Sequence, residues 1–528
     1  MKLRNSLSAA LIVGAFTVLA PLYGPAIDAR AASPQDDLDK NMKALAGAYS
    51  ILQQNAADPV SSEKAIYQGA IPGMLRTLDP HSNFLDPTEY LDMQRKQRAQ
   101  YYGIGMLITM DGTKVVAMEP FPGSPAWRAD LRRGDVITAV DSKDVTKKNS
   151  QDVADMLRGP KGTQVRVSVM REGGTEPVTV TVIRGGIETS LVDGFWLRPG
   201  IAYLKVTSFE AQNVGRDVEA ALAGLGEDKI NGLVLDLREN RGGLVTEAVS
   251  LAGRFLREGQ VVVSHRGRSE KEQVFKAKAS PTASPNALKY PIVVLVNGNS
   301  ASASEIVSGA LQDHDRALIM GETTFGKGLV QAQFPLSEGA ALLLTIAHYY
   351  TPSGRLIQRD YSKKSFFDYY YAKRDTQNLE DVKQTDTGRK MFGGGGITPD
   401  VTFTPEKATL FQRRIVNSSI IFRFASTYFG PRKPELPKNW APDQDVMARF
   451  KDYLHTKNFP FTDADFEKDK KFIAAQLRDE FYFRAFERKA SERAQIMDDP
   501  EVSKAVESMP QAQSLLAEAQ KTQARRQQ

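Results

Sequence analysis

Across 528 residues the chain has no cysteine. That excludes a disulfide framework, a Cys-ligated zinc or iron–sulfur site, and a thiol nucleophile. Histidine is scarce, with five in all, which argues against a His-rich metal site. Neither sign of charge dominates. Lys+Arg 69 against Asp+Glu 63 leaves +6, a mild bias at this length and no argument for nucleic-acid binding. An apolar fraction of 41% and a charged fraction of 25% exclude both a disordered chain and a multi-span membrane protein. The length is too great for one core and suggests about three domains.

The chain opens with Lys2 and Arg4, then an apolar stretch from about Ala9 to Leu22, then Ala29-Arg30-Ala31. Charge, apolar run and small residues in that order predict a secretory signal peptide over 1–31. The alternative is an uncleaved anchor, against which stand Gly14 and Pro21. Either way the bulk of the chain is expected outside the cytoplasm. A large exported chain without cysteine suits a bacterial periplasm or cell envelope.

Residues 32–100 read as helical, with Leu38, Met42, Leu45 and Ala48 at helical spacing. A further helix is expected over Ala65–Leu78, and Asp86-Pro87-Thr88 starts another. From Tyr101 the texture turns to short strands punctuated by glycine, a β-rich module over 101–185 with one helix at Ser150–Leu157. From about 186 to 405 buried apolar strands such as Leu233–Leu237 and Ile292–Val296 alternate with helices, the pattern of an α/β layer. Residues from about 364 to 392 are a polar, tyrosine-containing insertion, and Gly393–Gly396 reads as a flexible joint. Residues 406–528 are a helical extension ending in a frayed polar tail. The fold class is multidomain: an α/β core, a β-rich module, and helical flanks at both ends.

Three segments can carry chemistry. In Asn297–Glu305 a buried strand ends, Gly and Asn turn the chain, and a helix begins. A serine there sits at the positive end of a helix beside free N–H groups, where an oxyanion is stabilised. The bland alternative is that Ser302-x-x-Glu305 is an ordinary capping box. A nucleophilic serine needs a base. His314 lies twelve residues along the same helix, roughly 18 Å away. His81, His265, His348 and His455 sit in no evident acid–base motif. The other candidate is Lys327, set among glycines and apolar residues in Thr324–Gln331. Desolvation lowers a lysine pKa, and moving it from about 10.4 to about 7 costs roughly 4–5 kcal/mol. Gln331, four residues on, can orient the amine if the segment is helical. Gly321–Gly328 nearly matches a phosphate-binding loop but lacks the Ser or Thr after the lysine. In Asp236–Leu244 the glycines Gly242 and Gly243 follow a buried strand and can offer a backbone N–H, or can form a plain strand-to-helix turn.

Taken together these segments resemble the carboxy-terminal processing (tail-specific) proteases, serine–lysine endopeptidases. The resemblance runs over roughly 74–404 and includes Leu78–Ser82, Gly103–Gly105, Asp236–Gly243, Ser300–Glu305, Gly326–Gln331 and Tyr349–Gly354. It implies Ser302 as nucleophile, Lys327 as general base 25 residues on, and Gln331 as the residue that positions the lysine. It implies an oxyanion hole from the amide of Ala303 and one of the Gly242-Gly243 pair. The β-rich module then looks like a PDZ domain, with Tyr102, Gly103, Ile104 and Gly105 as its carboxylate-binding loop. Consecutive free N–H groups can capture a chain-terminal carboxylate.

The expected activity is peptide-bond hydrolysis by an exported serine endopeptidase that binds polypeptide substrates by their C-terminal tails. No metal or cofactor is needed. An uncleaved leader implies peripheral membrane association, and the extra regions bear on homo-oligomerisation. The rival from another class is an exported PDZ adaptor with an inert protease-like domain. A weaker rival is a cell-wall amidase, against which the PDZ-like module favours polypeptides.

Overall fold

In the computed structural model the residues described are 34–98, 102–121, 123–171, 174–187, 191–268, 271–279, 284–362, 365–371, 378–430, 434–437, 439–486 and 488–527. The expected leader over 1–31 lies outside them. Of the described residues, those up to Ile71 form one compact unit and those from Pro72 on another. In the first, the predicted stripe is a helix over Pro34–Asn55 that leaves Leu38, Met42, Leu45, Ile51 and Leu52 exposed. The next helix starts at Ser62 and passes through a π-turn at Ile66–Ala70.

The larger unit is built on a six-stranded sheet. Its strand order is Val192–Arg198, Ile201–Val206, Gly232–Asp236, Ile292–Val296, Leu318–Gly321, Val401–Thr402. The first pair is antiparallel and the rest parallel. Strand residues alternate between the two faces. Leu233, Leu235, Ile292 and Val294 pack against the helices Val214–Leu225, Val245–Phe255 and Ala303–Asp313. Val234, Val293, Leu295 and Met320 face the other way and meet Val502, Ala505, Met509 and Ala512 of the two last helices. Part of the C-terminal extension is therefore the second cover of a sheet that is apolar on both faces.

A second sheet is antiparallel. Its centre is the strand Ala341–Tyr350, which pairs with Asn83–Leu85, Leu329–Pro335 and Val261–Gly267. The chain after Asp79 and the strand that carries Gln331 thereby share one partner strand.

The β-rich module has strand order Met106–Asp111, Lys114–Pro120, Val136–Val140, Gln164–Met170, Val178–Ile183, with the helix Ser150–Leu157 as expected. Val115, Ile137, Val153, Leu157, Val165 and Val167 form its core. Met106–Asp111 is an edge strand with one side unpaired within this sheet. Helices from Leu410 to Ala485 enclose a separate aromatic core around Phe424, Phe450 and Phe481.

Two expectations need correction. Gln331 does not share a helix with Lys327: it lies on the strand Leu329–Pro335, and Lys327 precedes that strand in irregular chain. The Gly393–Gly396 run is not a flexible joint. Gly394 and Gly396 donate to the carbonyls of Leu356 and Ile357, and a Cβ on Gly396 would come within 2.7 Å of the Thr324 carbonyl oxygen. The glycines are there because the backbone passes too close for side chains.

Candidate active site

The helix Ala303–Asp313 starts just beyond the end of the central strand Ile292–Val296, and the turn between them is laced to the loop after Asp236. Asn297 and Asn299 each donate to the Glu239 carboxylate, at 2.6 and 2.9 Å. Ser300 Oγ donates to the Leu237 carbonyl at 2.8 Å, and Ser304 Oγ to that of Asn240 at 2.8 Å. Asn240 is fully buried; its Nδ2 donates to the Val206 carbonyl at 2.8 Å and its Oδ1 accepts the Gly242 N–H at 2.9 Å. These side chains bring the segments Asp236–Gly243 and Asn297–Glu305 together.

Ser302 stands at the N-cap with φ 54° and ψ −111°, a left-handed region that a serine rarely occupies. Such strain costs on the order of 1–3 kcal/mol and persists only where its surroundings enforce it. The Glu305 N–H donates to the Ser302 carbonyl at 2.8 Å, with the Ser302 side chain facing it in a capping box. The reciprocal half of the box is Glu305 Oε2 accepting the Ser302 N–H at 2.8 Å.

Glu305 does more than the capping box suggests. It is fully buried, and its carboxylate also accepts from Thr324 Oγ1 at 2.6 Å, the Gly326 N–H at 2.7 Å and the Lys327 N–H at 2.9 Å. Burial pushes its pKa up, and those donors pull it back. One carboxylate thus holds the backbone of Ser302 and of Lys327. Tyr349 makes a second tie: its buried hydroxyl lies against the Lys327 carbonyl and, at 3.0 Å, that of Ser302. Glycine is required opposite, since a Cβ on Gly242 would lie 2.8 Å from Ser302 Cβ and 2.9 Å from the Ala303 nitrogen.

Among the described residues no hydrogen bond is found on the N–H groups of Ala303 and Gly243, whereas that of Gly242 is taken by Asn240. Of the glycine pair, Gly243 is the one with a donor to spare.

Lys327 Nζ donates to Gln331 Oε1 at 2.7 Å, and Gln331 Nε2 donates to the His81 carbonyl at 2.8 Å. Burial lowers the lysine pKa, while the Asp79 and Glu305 carboxylates pull it back up. Asp79 accepts the N–H groups of His81 and Ser82 at 2.7 Å and the Ser82 hydroxyl at 2.6 Å. Burial raises Asp79, but these bonds outweigh it and keep the carboxylate low. The His81 ring is held by Tyr369 at 2.9 Å and Tyr370 at 3.3 Å, and burial with the nearby lysine charge drives it down to about 3. A neutral imidazole at working pH leaves Lys327 as the titratable amine of this arm, with Nζ bonded to Gln331 and, among the described residues, not to Ser302 Oγ. An amine with a depressed pKa can take a hydroxyl proton, and two unpaired N–H groups can receive an oxyanion.

Sequence reading missed the His81 arm, because a carbonyl's partner 250 residues away leaves no local pattern. It read Tyr369 and Tyr370 only as part of a polar insertion, and they press on that arm. Tyr102–Gly105 lies apart, in the β-rich module: Tyr102 and Gly103 pair with Gly186 and Gly185, and Gly105 has φ 73°.

The model for peptidase family S41 matches residues 200–363, and that for the PDZ domain matches 118–171. The chain is 38% identical over 304 residues to a carboxy-terminal-processing protease of Bartonella bacilliformis, covering 57% of this chain and 68% of that one. It is 37% identical over 301 residues to a carboxyl-terminal-processing protease of Synechocystis, covering 56% and 69%. Among solved structures, a photosystem II D1 C-terminal processing protease aligns at 30% identity over 69% of this chain and 87% of that one, with a TM-score of 0.37. By its family matches and these two relatives, the chain belongs to the carboxy-terminal processing proteases of peptidase family S41, as a serine endopeptidase with a PDZ domain.

Proposed function

We propose that Ser302 and Lys327 are the nucleophile and base of this endopeptidase. The observation that carries the reading is the shared Glu305 carboxylate, which ties Ser302 and Lys327 together by their backbone N–H groups next to a desolvated Lys327 amine. Neutral Lys327 takes the Ser302 proton as Oγ attacks the scissile carbonyl. The oxyanion rests on the N–H groups of Ala303 and Gly243. Protonated Lys327 then gives its proton to the leaving amine, and water hydrolyses the acyl-enzyme. Gln331 keeps the amine aimed throughout by holding Nζ with one end and the His81 carbonyl with the other.

Tail recognition is assigned to the PDZ domain. Its edge strand Met106–Asp111 has an unpaired side, and the helix Ser150–Leu157 packs beside it. An extended tail adding to that strand gains main-chain hydrogen bonds, with its carboxylate at Tyr102–Gly105. Export to the periplasm or envelope is the reading of the opening segment, and fractionation of cells checks it.

The deciding experiment treats purified wild type and Ser302→Ala with a fluorophosphonate probe and a peptide bearing an apolar free C-terminus. Labelling and cleavage are expected in the wild type alone. Cleavage by Ser302→Ala at the wild-type rate would remove Ser302 from the mechanism.

A further inference from the structure

Residues 410–527 connect the PDZ domain to the back of the protease sheet through a continuous set of polar and aromatic contacts. Arg133, on the turn before the strand Val136–Val140, leaves its own domain. Its Nη2 donates to both oxygens of Glu480 at 2.6 Å, and its guanidinium stacks 4.0 Å from the Phe483 ring and 5.0 Å from that of Phe422. Its side chain is 17% exposed and that of Glu480 13%, so this is a desolvated pair rather than a surface contact. Arg484 braces Glu480 from the same helix at 2.8 Å. Arg423 adds a second grip, 3.2 Å from Asp111.

The helix that carries Glu480 is itself fixed to the core. Arg478 pairs with Asp498, and Arg493 with Asp193 at 3.3 Å. Beyond them Asp499 and Glu501 clamp Arg238 at 2.7 and 2.8 Å. Arg238 begins the loop that runs to Gly242 and Gly243. The chain of contacts thus reaches from the PDZ edge strand to the oxyanion loop. Both grips lie away from the glycine loop: Asp111 is at the far end of Met106–Asp111 from Gly103–Gly105, and within its own sheet Arg133 donates to the Met118 carbonyl and feels the Glu119 charge.

We infer that the C-terminal extension is a strut that sets the distance between the tail-binding groove and Ser302, with Arg133 as its coupling, so that the enzyme cuts at a defined distance from the substrate's C-terminus. This rests on the tail-binding reading above. A tail held at one fixed point presents one register of peptide bonds to the nucleophile. A loosened PDZ domain presents many, each at lower effective concentration.

The test uses the full chain and one long peptide in two forms, free carboxylate and C-terminal amide, with the first cut mapped by mass spectrometry. Wild type is expected to cut the free-carboxylate form in a narrow register and the amide slowly. Arg133→Ala is expected to spread the register and lower kcat/KM on the free-carboxylate form by about tenfold, with fluorophosphonate labelling of Ser302 unchanged. Because the chain has no cysteine, Asp111→Cys with Arg423→Cys can be joined by a short bis-maleimide without competing thiols. That cross-link in the Arg133→Ala background is expected to restore the narrow register, which a misfolded variant would not do. An unchanged register in Arg133→Ala, or no recovery on cross-linking, overturns the strut while tail binding stands. Equal cutting of the two peptide forms by wild type overturns tail binding and the strut with it.

Discussion

The two ends of the helix Ala303–Asp313 are built from similar materials and differ in how completely they are used. Each has a non-glycine residue with positive φ, Ser302 at 54° and Asp315 at 52°. At the far end every polar side chain is engaged. Asp313 takes the buried Arg355 guanidinium and the Ser353 N–H. His314 sits between Asp386 and the Val261 carbonyl, both at 2.8 Å. Asp315 takes Arg389 at 2.6 Å and the Thr387 N–H at 2.7 Å. At the near end the Ala303 N–H has no partner in the described residues. A saturated end anchors the helix, and an unsaturated end is free for a substrate. The open end stays rigid because Glu305 and Tyr349 take the backbone groups and leave the reactive ones.

That contrast is broken most severely at the near end. Ser302→Ala is expected to lower kcat by roughly 10⁶-fold with the fold retained, read by peptide hydrolysis alongside circular dichroism. Lys327→Ala is expected to cost about 10²–10⁴-fold, and Lys327→Arg nearly as much, since a guanidinium stays protonated. The wild-type kcat/KM should rise with pH as Lys327 deprotonates, with a midpoint below the usual lysine range because burial lowers it. A flat profile from about pH 6 to 9 with chemistry rate-limiting speaks against the lysine base.

At the saturated end the effect moves from rate to stability. Asp313→Ala strands the fully buried Arg355, and denaturant melts should show a loss of roughly 3–5 kcal/mol. Gln331→Ala returns to the site with a smaller effect. Losing the bond to Nζ should lower kcat by about tenfold, for roughly 1–1.5 kcal/mol, and leave stability near wild type.

The smallest effect concerns His314 and Asp386. Burial lowers the His314 pKa, but Asp386 and the Val261 carbonyl outweigh it and raise the folded value. Its contribution is full below the unfolded pKa and lost as pH rises through the raised one. Asp386 is lowered by the His314 bond first, so its contribution is present above its unfolded pKa and lost as pH falls through the lowered one. The pair is therefore strongest between about pH 4 and 6.5. The Tm difference between wild type and His314→Asn should peak there, and a pH-independent difference would contradict the pairing.

How much of this was legible follows from range. The helix at Ser150–Leu157, the capped start at Asp86 and the strand–turn–helix around Ser302 are written in local spacing and capping residues. The catalytic candidates were legible because glycines and lysine interrupt apolar runs where sterics or charge require it. Glu305 was legible only as a cap: three of its four bonds reach chain about 20 residues away. The long strand Ala341–Tyr350 reads as an apolar run without punctuation, and its partners lie as far off as Asn83. The glycine run at 393–396 looks mobile by composition and is instead fixed by what it packs against. The role of 406–528 could not be read at all, since helices that cover a sheet and helices that carry another domain share one amphipathic pattern.

The central claim is that a neutral Lys327 activates Ser302. Its most direct test is the pH dependence of the rate of Ser302 acylation by a fluorophosphonate probe, in wild type and in Lys327→Ala. The account predicts that the wild-type rate rises to a plateau with a midpoint below the ordinary lysine pKa, and that the variant is slower by about 10²-fold or more with no such midpoint. Acylation of Lys327→Ala at the wild-type rate, or the same midpoint in both proteins, would contradict it.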